Sequence, residues 1–169
     1  ALTADADHTI AIGHSAGYAN TSGRYNTFLG YQAGYENTIG DSNIAIGYAA
    51  MNDTLGGLQN DSNIAIGFQS MSGTWLTAAS TDNIAIGSNT LKGAMNSAVG
   101  NVAIGTSALG AITQGDNNIA IGTNALDAAD TGEDNNIAIG VTAMSAVSEG
   151  DGNTDSNIAI GTNALLGGD

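Results

Sequence analysis

Isoleucine and valine alternate with small or polar residues in a short phrase that recurs along the whole chain. In Asn43-Ile44-Ala45-Ile46-Gly47, an extended backbone would place the two isoleucines on one side and the other three residues on the opposite side. Isoleucine and valine are also strong strand formers. The phrase therefore predicts a short β-strand wherever it occurs.

The glycine that closes each phrase, here called the closing glycine, marks nine repeats separated by 17 to 21 residues. Inserting one residue would rotate the face of a helix, whereas strands joined by surface loops tolerate such variation. A second apolar residue stands four positions after most closing glycines and predicts a second short strand in each repeat. The closing glycines are Gly13, Gly30, Gly47, Gly67, Gly87, Gly105, Gly122, Gly140 and Gly161, and the second apolar residues are Met51, Met71, Leu91, Leu109, Leu126, Met144 and Leu165.

Two short strands and a polar return loop make one coil of a β-solenoid. A meander of hairpins is the competing architecture, but it gives no reason for side chains to repeat identically, whereas a solenoid stacks each residue on its own copy. We therefore predict an all-β, single-chain solenoid of about nine coils, with residues 1–169 as one repeat domain from a longer fibrous protein. The coils are expected near residues 9–17, 26–34, 43–51, 63–71, 83–91, 101–109, 118–126, 136–144 and 157–165.

Stacking assigns a role to each recurring residue. The asparagine before each strand is expected to form a column whose side-chain amides hydrogen-bond from coil to coil. The closing glycine permits a corner in which a Cβ would be costly. The isoleucines are expected to form the core, namely Ile10, Ile12, Ile46, Ile66, Ile86, Ile104, Ile121, Ile139 and Ile160.

The middle residue of the phrase is alanine in eight coils, and it points away from the isoleucines. If the isoleucines form the core, this column faces outward, where larger polar residues would normally accumulate. Recent duplication is one explanation for its uniformity. Close packing against another copy of the chain is the other, with an interface formed by Ala11, Ala45, Ala65, Ala85, Ala103, Ala120, Ala138 and Ala159.

The unit Asn-Ile-Ala-Ile-Gly-Thr-Asn-Ala-Leu, together with the variant Asn26-Thr27-Phe28-Leu29-Gly30, resembles the head repeats of trimeric autotransporter adhesins (YadA-like heads) and related units in phage tail fibres. The resemblance extends over about residues 9–166. It implies a left-handed parallel β-roll with three chains packed side by side. The variant differs by having Phe28 in place of alanine and Thr27 in place of isoleucine.

The charge balance and the missing motifs narrow the range of possible binding partners and activities. Two basic residues stand against sixteen acidic ones, which makes nucleic acid and anionic membranes poor partners. No apolar run approaches the roughly 18 residues that a membrane span needs. No P-loop, dinucleotide or zinc-protease motif is present. His14 and Ser15 are neighbours, but adjacent residues of a strand face opposite sides, so we expect no catalytic pair and no enzyme activity.

Aspartates precede several of the column asparagines and would stack at about 5 Å, a spacing at which like charges repel. Calcium prefers carboxylate and carbonyl oxygens and would bridge such a column. Aspartate is equally a common turn residue that caps its own backbone. No cofactor is required under the second interpretation, and the candidate calcium ligands under the first are Asp41, Asp61, Asp82, Asp116, Asp134 and Asp155.

All aromatic residues lie in the first 75 positions. Such side chains commonly grip carbohydrate and protein receptors. They would equally serve to pack against an adjoining domain or to cap the open end of the core. The candidate receptor contacts are Tyr18, Tyr25, Tyr31, Tyr35 and Trp75.

The repeats therefore predict a structural and adhesive module, a head or shaft of an extracellular homotrimeric fibre on a virion or a bacterial surface. Its partners would be further copies of the chain and a host receptor or glycan. The alternative is an ice- or surface-binding solenoid, for which the polar residues after the closing glycines would supply the array. These residues are Thr106, Thr123, Asn124, Thr162 and Asn163.

Overall fold

The computed structural model describes residues 7–53, 57–75, 78–128, 132–146 and 155–166. Within these ranges there is no helix, and every strand is three residues long. Each strand coincides with one copy of the repeated phrase, as the alternation predicts. The strands are β1 Ile10–Ile12, β2 Thr27–Leu29, β3 Ile44–Ile46, β4 Ile64–Ile66, β5 Ile84–Ile86, β6 Val102–Ile104, β7 Ile119–Ile121, β8 Ile137–Ile139 and β9 Ile158–Ile160.

The nine strands form one parallel sheet in which each strand pairs with the next along the sequence. The register places equivalent residues side by side, so that Ala103 pairs with Ala120 and Ala120 with Ala138. A hairpin meander would pair its strands antiparallel. The chain is therefore a β-solenoid, as predicted, and its nine strands extend over about eight turns.

Left-handed backbone conformations limit each strand to three residues. Ser42, directly before the column asparagine, has φ 60°, and the closing glycine Gly47 has φ 132°. The glycine is required for a second reason, because the coils approach closely at this corner. A Cβ added at Gly122 would lie 2.4 Å from the carbonyl oxygen of Gly140 in the next coil. The predicted role of the closing glycine is confirmed.

The predicted second strand is wrong, because the arm opposite the sheet is a series of turns. Met51 and Leu126 adopt φ angles of 49° and 51°, which an extended strand excludes. The arm still hydrogen-bonds from coil to coil, since the Leu126 amide donates to the Ala143 carbonyl at 2.9 Å. These coils therefore consist of one strand and one hydrogen-bonded, non-extended arm.

The predicted inward and outward faces of the strands are reversed. Ala45, Ala65, Ala85, Ala103, Ala120 and Ala138 are fully buried in the core of their own chain, Ala159 is nearly so, and Ala11 is half-buried. None of the nine isoleucines expected inside is buried: Ile10, Ile12, Ile86, Ile104, Ile121 and Ile160 are exposed, and Ile46, Ile66 and Ile139 are half-buried.

The narrow space between strand and opposite arm explains the reversal. A large side chain from the arm, four residues after the closing glycine, fills this space and leaves room for only a methyl group on the strand. The arm residues at this position in the third to eighth coils are all fully buried, namely Met51, Met71, Leu91, Leu109, Leu126 and Met144. Trp75, Met95 and Ile112 from the return segments complete the core.

In the second coil the large side chain comes from the strand and the small residue from the arm. Phe28 replaces the strand alanine and is fully buried, while Gly34 occupies the arm position that Met51 fills in the next coil. A Cβ added at Gly34 would lie 2.4 Å from the Phe28 ring, and one added at Gly17 in the first coil would lie 2.8 Å from it. One large residue therefore fills the space whichever side supplies it.

The predicted asparagine column is confirmed. Each asparagine Oδ1 accepts the backbone N–H of the asparagine in the next coil, at 2.9 Å from Asn63 to Asn43 and 3.0 Å from Asn101 to Asn83. Most also accept the side-chain amide of that residue, as Asn83 does from Asn101 at 3.0 Å. The column lies buried at the start of the strands and fixes their relative register.

The orientation of the strands can be tested at two adjacent residues. Ala120→Leu should destabilise the fold by about 1–3 kcal/mol, because the added volume has no space in the core. Ile121→Thr, at a residue that is 36% exposed, should cost clearly less. Chemical denaturation monitored by circular dichroism measures both changes, and a larger loss for Ile121→Thr would contradict the assigned orientation.

Because Phe28 and Gly34 share one space in the core, the stability effects of substitutions at the two positions should compensate each other. Phe28→Ala alone should cost about 3–5 kcal/mol by leaving a cavity. Gly34→Leu alone should also destabilise, because the added side chain meets the Phe28 ring. The double variant should be more stable than Phe28→Ala, since it restores the arrangement of the third coil. Additive losses in a double-mutant cycle would refute this packing.

Candidate functional site

The first and third residues of each strand form a continuous apolar surface, here called the isoleucine face. Fifteen of its eighteen positions are isoleucine, and the remaining three are Thr27, Leu29 and Val102. No position on it carries a charge. The side chains are exposed or half-buried throughout, which leaves an apolar stripe along one side of the solenoid.

The parallel register makes this face regular. Equivalent side chains are separated by one strand spacing of about 4.8 Å, so eight steps give a stripe roughly 40 Å long. Single exposed apolar residues are normal on a soluble protein, but a contiguous stripe of this length marks a contact surface. The predicted alanine interface is therefore wrong, because the alanines lie beneath this stripe and not on it.

Aromatic side chains form three stacks on the outside of the first four coils. The longest, here called the aromatic ladder, consists of His14, Tyr31, Tyr48 and Phe68, each directly after a closing glycine. Its successive ring centroids are 5.3, 5.1 and 5.3 Å apart, with interplanar angles of 9° to 13°. The two shorter stacks are His8 on Tyr25 and Tyr18 on Tyr35.

The candidate receptor contacts divide into two groups. Tyr18, Tyr25 and Tyr31 are exposed and Tyr35 is half-buried, so these phenol rings are accessible. Trp75 is fully buried in the core, and its assignment as a receptor contact is wrong. Its position in the return segment after the fourth coil gave no sequence signal that separated it from the tyrosines. Tyr48 and Phe68, which the sequence did not single out, belong to the accessible set.

The aspartates bind backbone amides of the preceding coil. The Asp61 Oδ1 accepts the N–H of Asp41 at 2.7 Å, and the Asp134 Oδ1 accepts that of Asp116 at 2.8 Å. Asp82 lies one position later in its coil and instead donates its own N–H to the Asp61 carbonyl at 3.1 Å. Three further backbone N–H groups donate in the same way to an aspartate Oδ1: that of Arg24 to Asp41, that of Val99 to Asp116 and that of Asp134 to Asp155.

These caps account for aspartate at this position without a metal ion. Among the described residues, no group of three or more histidine, aspartate or glutamate side chains is arranged to hold a metal. Five of the six candidate calcium ligands therefore form a column of backbone caps, and Asp82 is the exception. Calcium binding stays a prediction, and melting with calcium and with a chelator would test it.

The expected separation of His14 from Ser15 is wrong, because the Ser15 hydroxyl lies 3.1 Å from the His14 Nδ1. Strand alternation does not apply here, since the pair follows the closing glycine and Ser15 has φ 57°. The contact lies on an exposed turn, and the His14 ring stacks on Tyr31. A nucleophile also needs an orienting group and an enclosed substrate position.

Two carboxyl groups of adjacent coils lie side by side at Glu36 and Asp53. Burial raises the pKa of Glu36, and the neighbouring Asp53 raises it further through its negative charge and a side-chain hydrogen bond. The Thr74 hydroxyl donates to the Asp53 Oδ2 at 2.7 Å and holds that carboxylate in place. The folded chain therefore favours the protonated form of Glu36 more than the unfolded chain does.

No family model, curated protein or solved structure matches this chain. Among the described residues, no helix is long and apolar enough to span a membrane.

The Glu36–Asp53 pair predicts a pH-dependent stability. Because the pKa of Glu36 is raised in the folded state, its contribution is most favourable below the ordinary value of 4.5 and is lost as pH rises through the folded-state value. Glu36→Gln should therefore raise the melting temperature relative to the original chain at pH 7 and change it little at pH 4. Parallel melting curves for the two proteins across this range would contradict the assignment.

Proposed function

We propose that this chain is a structural and adhesive module of a surface-exposed homotrimeric fibre that attaches to a host surface. The observation that carries the proposal is the isoleucine face, an uncharged and regular apolar stripe along the whole sheet. Isoleucine favours a strand at these positions, but strand formation alone does not require an uncharged, apolar residue at almost every one of them. The stripe supports side-by-side association of solenoids.

Burial of the stripe would provide the driving force. Full burial of one isoleucine side chain contributes roughly 1.5–3 kcal/mol, and the exposed positions retain a third to two thirds of their surface, as Ile121 at 36% and Ile160 at 69% illustrate. Partial burial of many such residues would offset the cost of association, which is about 4–15 kcal/mol. Acidic side chains lie outside the stripe, so association leaves them in water.

Three copies around an axis parallel to the solenoid would cover the isoleucine faces along their full length. Closed rotational symmetry requires each copy to present the same surfaces, which a uniform stripe satisfies. The threefold number and the left-handed roll come from the resemblance to YadA-like heads and phage tail-fibre units. In this arrangement the apolar contact replaces the alanine contact that the sequence alone suggested.

Attachment to a host surface is the second part of the proposal. A rigid stack of hydrogen-bonded coils suits a shaft or head that holds a contact surface away from a virion or a bacterial cell. The accessible tyrosines Tyr18, Tyr25, Tyr31 and Tyr35 would contact a host receptor or glycan in an extracellular setting. Nucleic acid and direct membrane insertion have no place in this function, given a net charge of −14.

An ice- or surface-binding solenoid is the alternative function. The threonine array proposed for it is irregular, because Thr106 and Thr123 share their exposed column with Tyr48, Phe68 and Val141. The regular array of this chain is the isoleucine face. Thermal hysteresis in the purified protein would favour the alternative over assembly into a fibre.

Self-association can be tested on three central coils. The triple variant Ile86→Lys, Ile104→Lys and Ile121→Lys should reduce the oligomer to a monomer, because like charges would meet within an apolar contact. Light scattering coupled to size-exclusion chromatography measures the mass, and circular dichroism checks the fold. A trimeric mass is expected for the original chain.

The matched control places three lysines in the same coils two residues later, at Ser88, Thr106 and Thr123. These positions lie beyond the closing glycine, so the control should keep the original mass. An original chain that is monomeric at micromolar concentration, or a triple isoleucine variant with unchanged mass, would contradict the proposed assembly.

A further inference from the structure

The aromatic ladder ends at Phe68, in the fourth coil. One face of this ring stacks on Tyr48, with the ring centroids 5.3 Å apart and the planes 13° from parallel. In the next coil the same column holds Ser88, and the two coils are held together here because the backbone N–H of Asn89 donates to the Phe68 carbonyl at 2.9 Å. A serine is too small to cover a phenyl ring. The column therefore leaves the second face of Phe68 open, and the side chain is 48% exposed.

Three polar side chains of the same two coils form a cluster beside this ring, here called the lysine cluster. The Lys92 ammonium donates to the Gln69 Oε1 and to the Asn89 Oδ1, at 3.1 Å in both cases. Gln69 directly follows Phe68, and Asn89 lies in the coil beneath, so the cluster is adjacent to the open ring face. The ring and the cluster together form one surface with an apolar part and a polar part.

The lysine cluster is positively charged in a strongly acidic chain. The sequence has one lysine and sixteen acidic residues, yet among the described residues the Lys92 ammonium contacts the two amide oxygens and no carboxylate. Because both amides accept through oxygen, their NH2 groups remain as donors, and the ammonium keeps a third N–H. Charges farther than about 8 Å away are screened at physiological ionic strength, so the ammonium affects a small ligand here more than the net charge of the whole chain does.

The open ring face and the lysine cluster select one ligand chemistry. An aromatic ring is partially negative on its face, so the face packs well against the partially positive C–H groups of a sugar ring. A positively charged group of N–H donors binds a carboxylate through charge-assisted hydrogen bonds. A saccharide that carries a carboxylate provides both parts in one molecule.

We propose that Phe68 and the lysine cluster bind an acidic saccharide, with a sugar ring on the phenyl face and its carboxylate on the N–H donors. As a host contact this site rests on the proposed function, because it supplies a ligand class for attachment to a host surface. Binding itself needs neither the trimer nor the tyrosines assigned as receptor contacts. The site lies beyond the closing glycines, outside the strands that carry the isoleucine face.

D-Glucuronate and D-glucose are matched probes, because they differ only in having a carboxylate or a hydroxymethyl group at the sixth carbon. Saturation-transfer difference NMR on the purified chain should show saturable glucuronate binding, about tenfold or more tighter than glucose binding, since a charge-assisted hydrogen bond is lost with glucose. Phe68→Ser should weaken the binding of both sugars, because it removes the ring face. Serine is compatible with the fold here, since Ser88 occupies the same column in the next coil.

Two charge variants separate the local site from the net charge of the chain. Lys92→Gln and Arg24→Gln each remove one positive charge. Only Lys92→Gln should weaken glucuronate binding, by about tenfold or more, and it should reduce the difference between the two sugars. Absence of saturable glucuronate binding, equal affinities for the two sugars, or equal losses in the two charge variants would overturn the proposal.

The mass of the oligomer distinguishes this site from the proposed fibre assembly. Light scattering should give the same mass for Lys92→Gln as for the original chain, because Lys92 lies outside the strands. A trimer that binds no glucuronate would overturn the acidic-saccharide site alone. A monomer that binds glucuronate through Lys92 would overturn the proposed assembly alone.

Discussion

The space inside each described coil accommodates one large side chain between the strand and the opposite arm, and the rest of the structure depends on this limit. Where the arm supplies Leu126, the strand supplies Ala120; where the strand supplies Phe28, the arm supplies Gly34. Overpacking and cavities are both costly, so the two positions must share a fixed volume. The bulky residues of the strand are thereby placed outside. The thinness of the coil explains why these residues point outward, but it does not require them to be apolar.

Strand location, parallel pairing and the asparagine column could all be predicted from the sequence, because each rests on periodicity and on residues that repeat in register. Strand orientation could not be predicted in the same way. Alternation separates two faces but does not say which one is inside, and the usual preference for buried isoleucine pointed in the wrong direction. The informative sequence signal was in the second coil, where a large residue at the strand position, Phe28, coincides with a glycine at the arm position, Gly34. This coincidence shows that the two positions share one space.

The second arm shows a different limit of sequence reasoning. Met51 and Leu126 resemble inward residues of a strand, and they are buried as expected. Their left-handed φ angles are unusual for such side chains, and residue type gives no warning of them. Burial and hydrogen bonds to neighbouring coils hold this conformation. Likewise, aspartate alone did not distinguish a calcium ligand from a backbone cap, whereas the contact between the Asp61 carboxylate and the Asp41 amide favours the cap.

In-register stacking turns every outward position into a column, and the regularity of a column indicates what it can contact. The isoleucine face is nearly uniform from β1 to β9, which suits a partner that runs alongside the whole solenoid. The column after the closing glycines changes from stacked rings to serine, threonine and valine after Phe68, so its chemistry differs between the first four coils and the rest. A uniform column can therefore contact a partner along the whole solenoid, whereas an interrupted column can contact a partner over only part of its length.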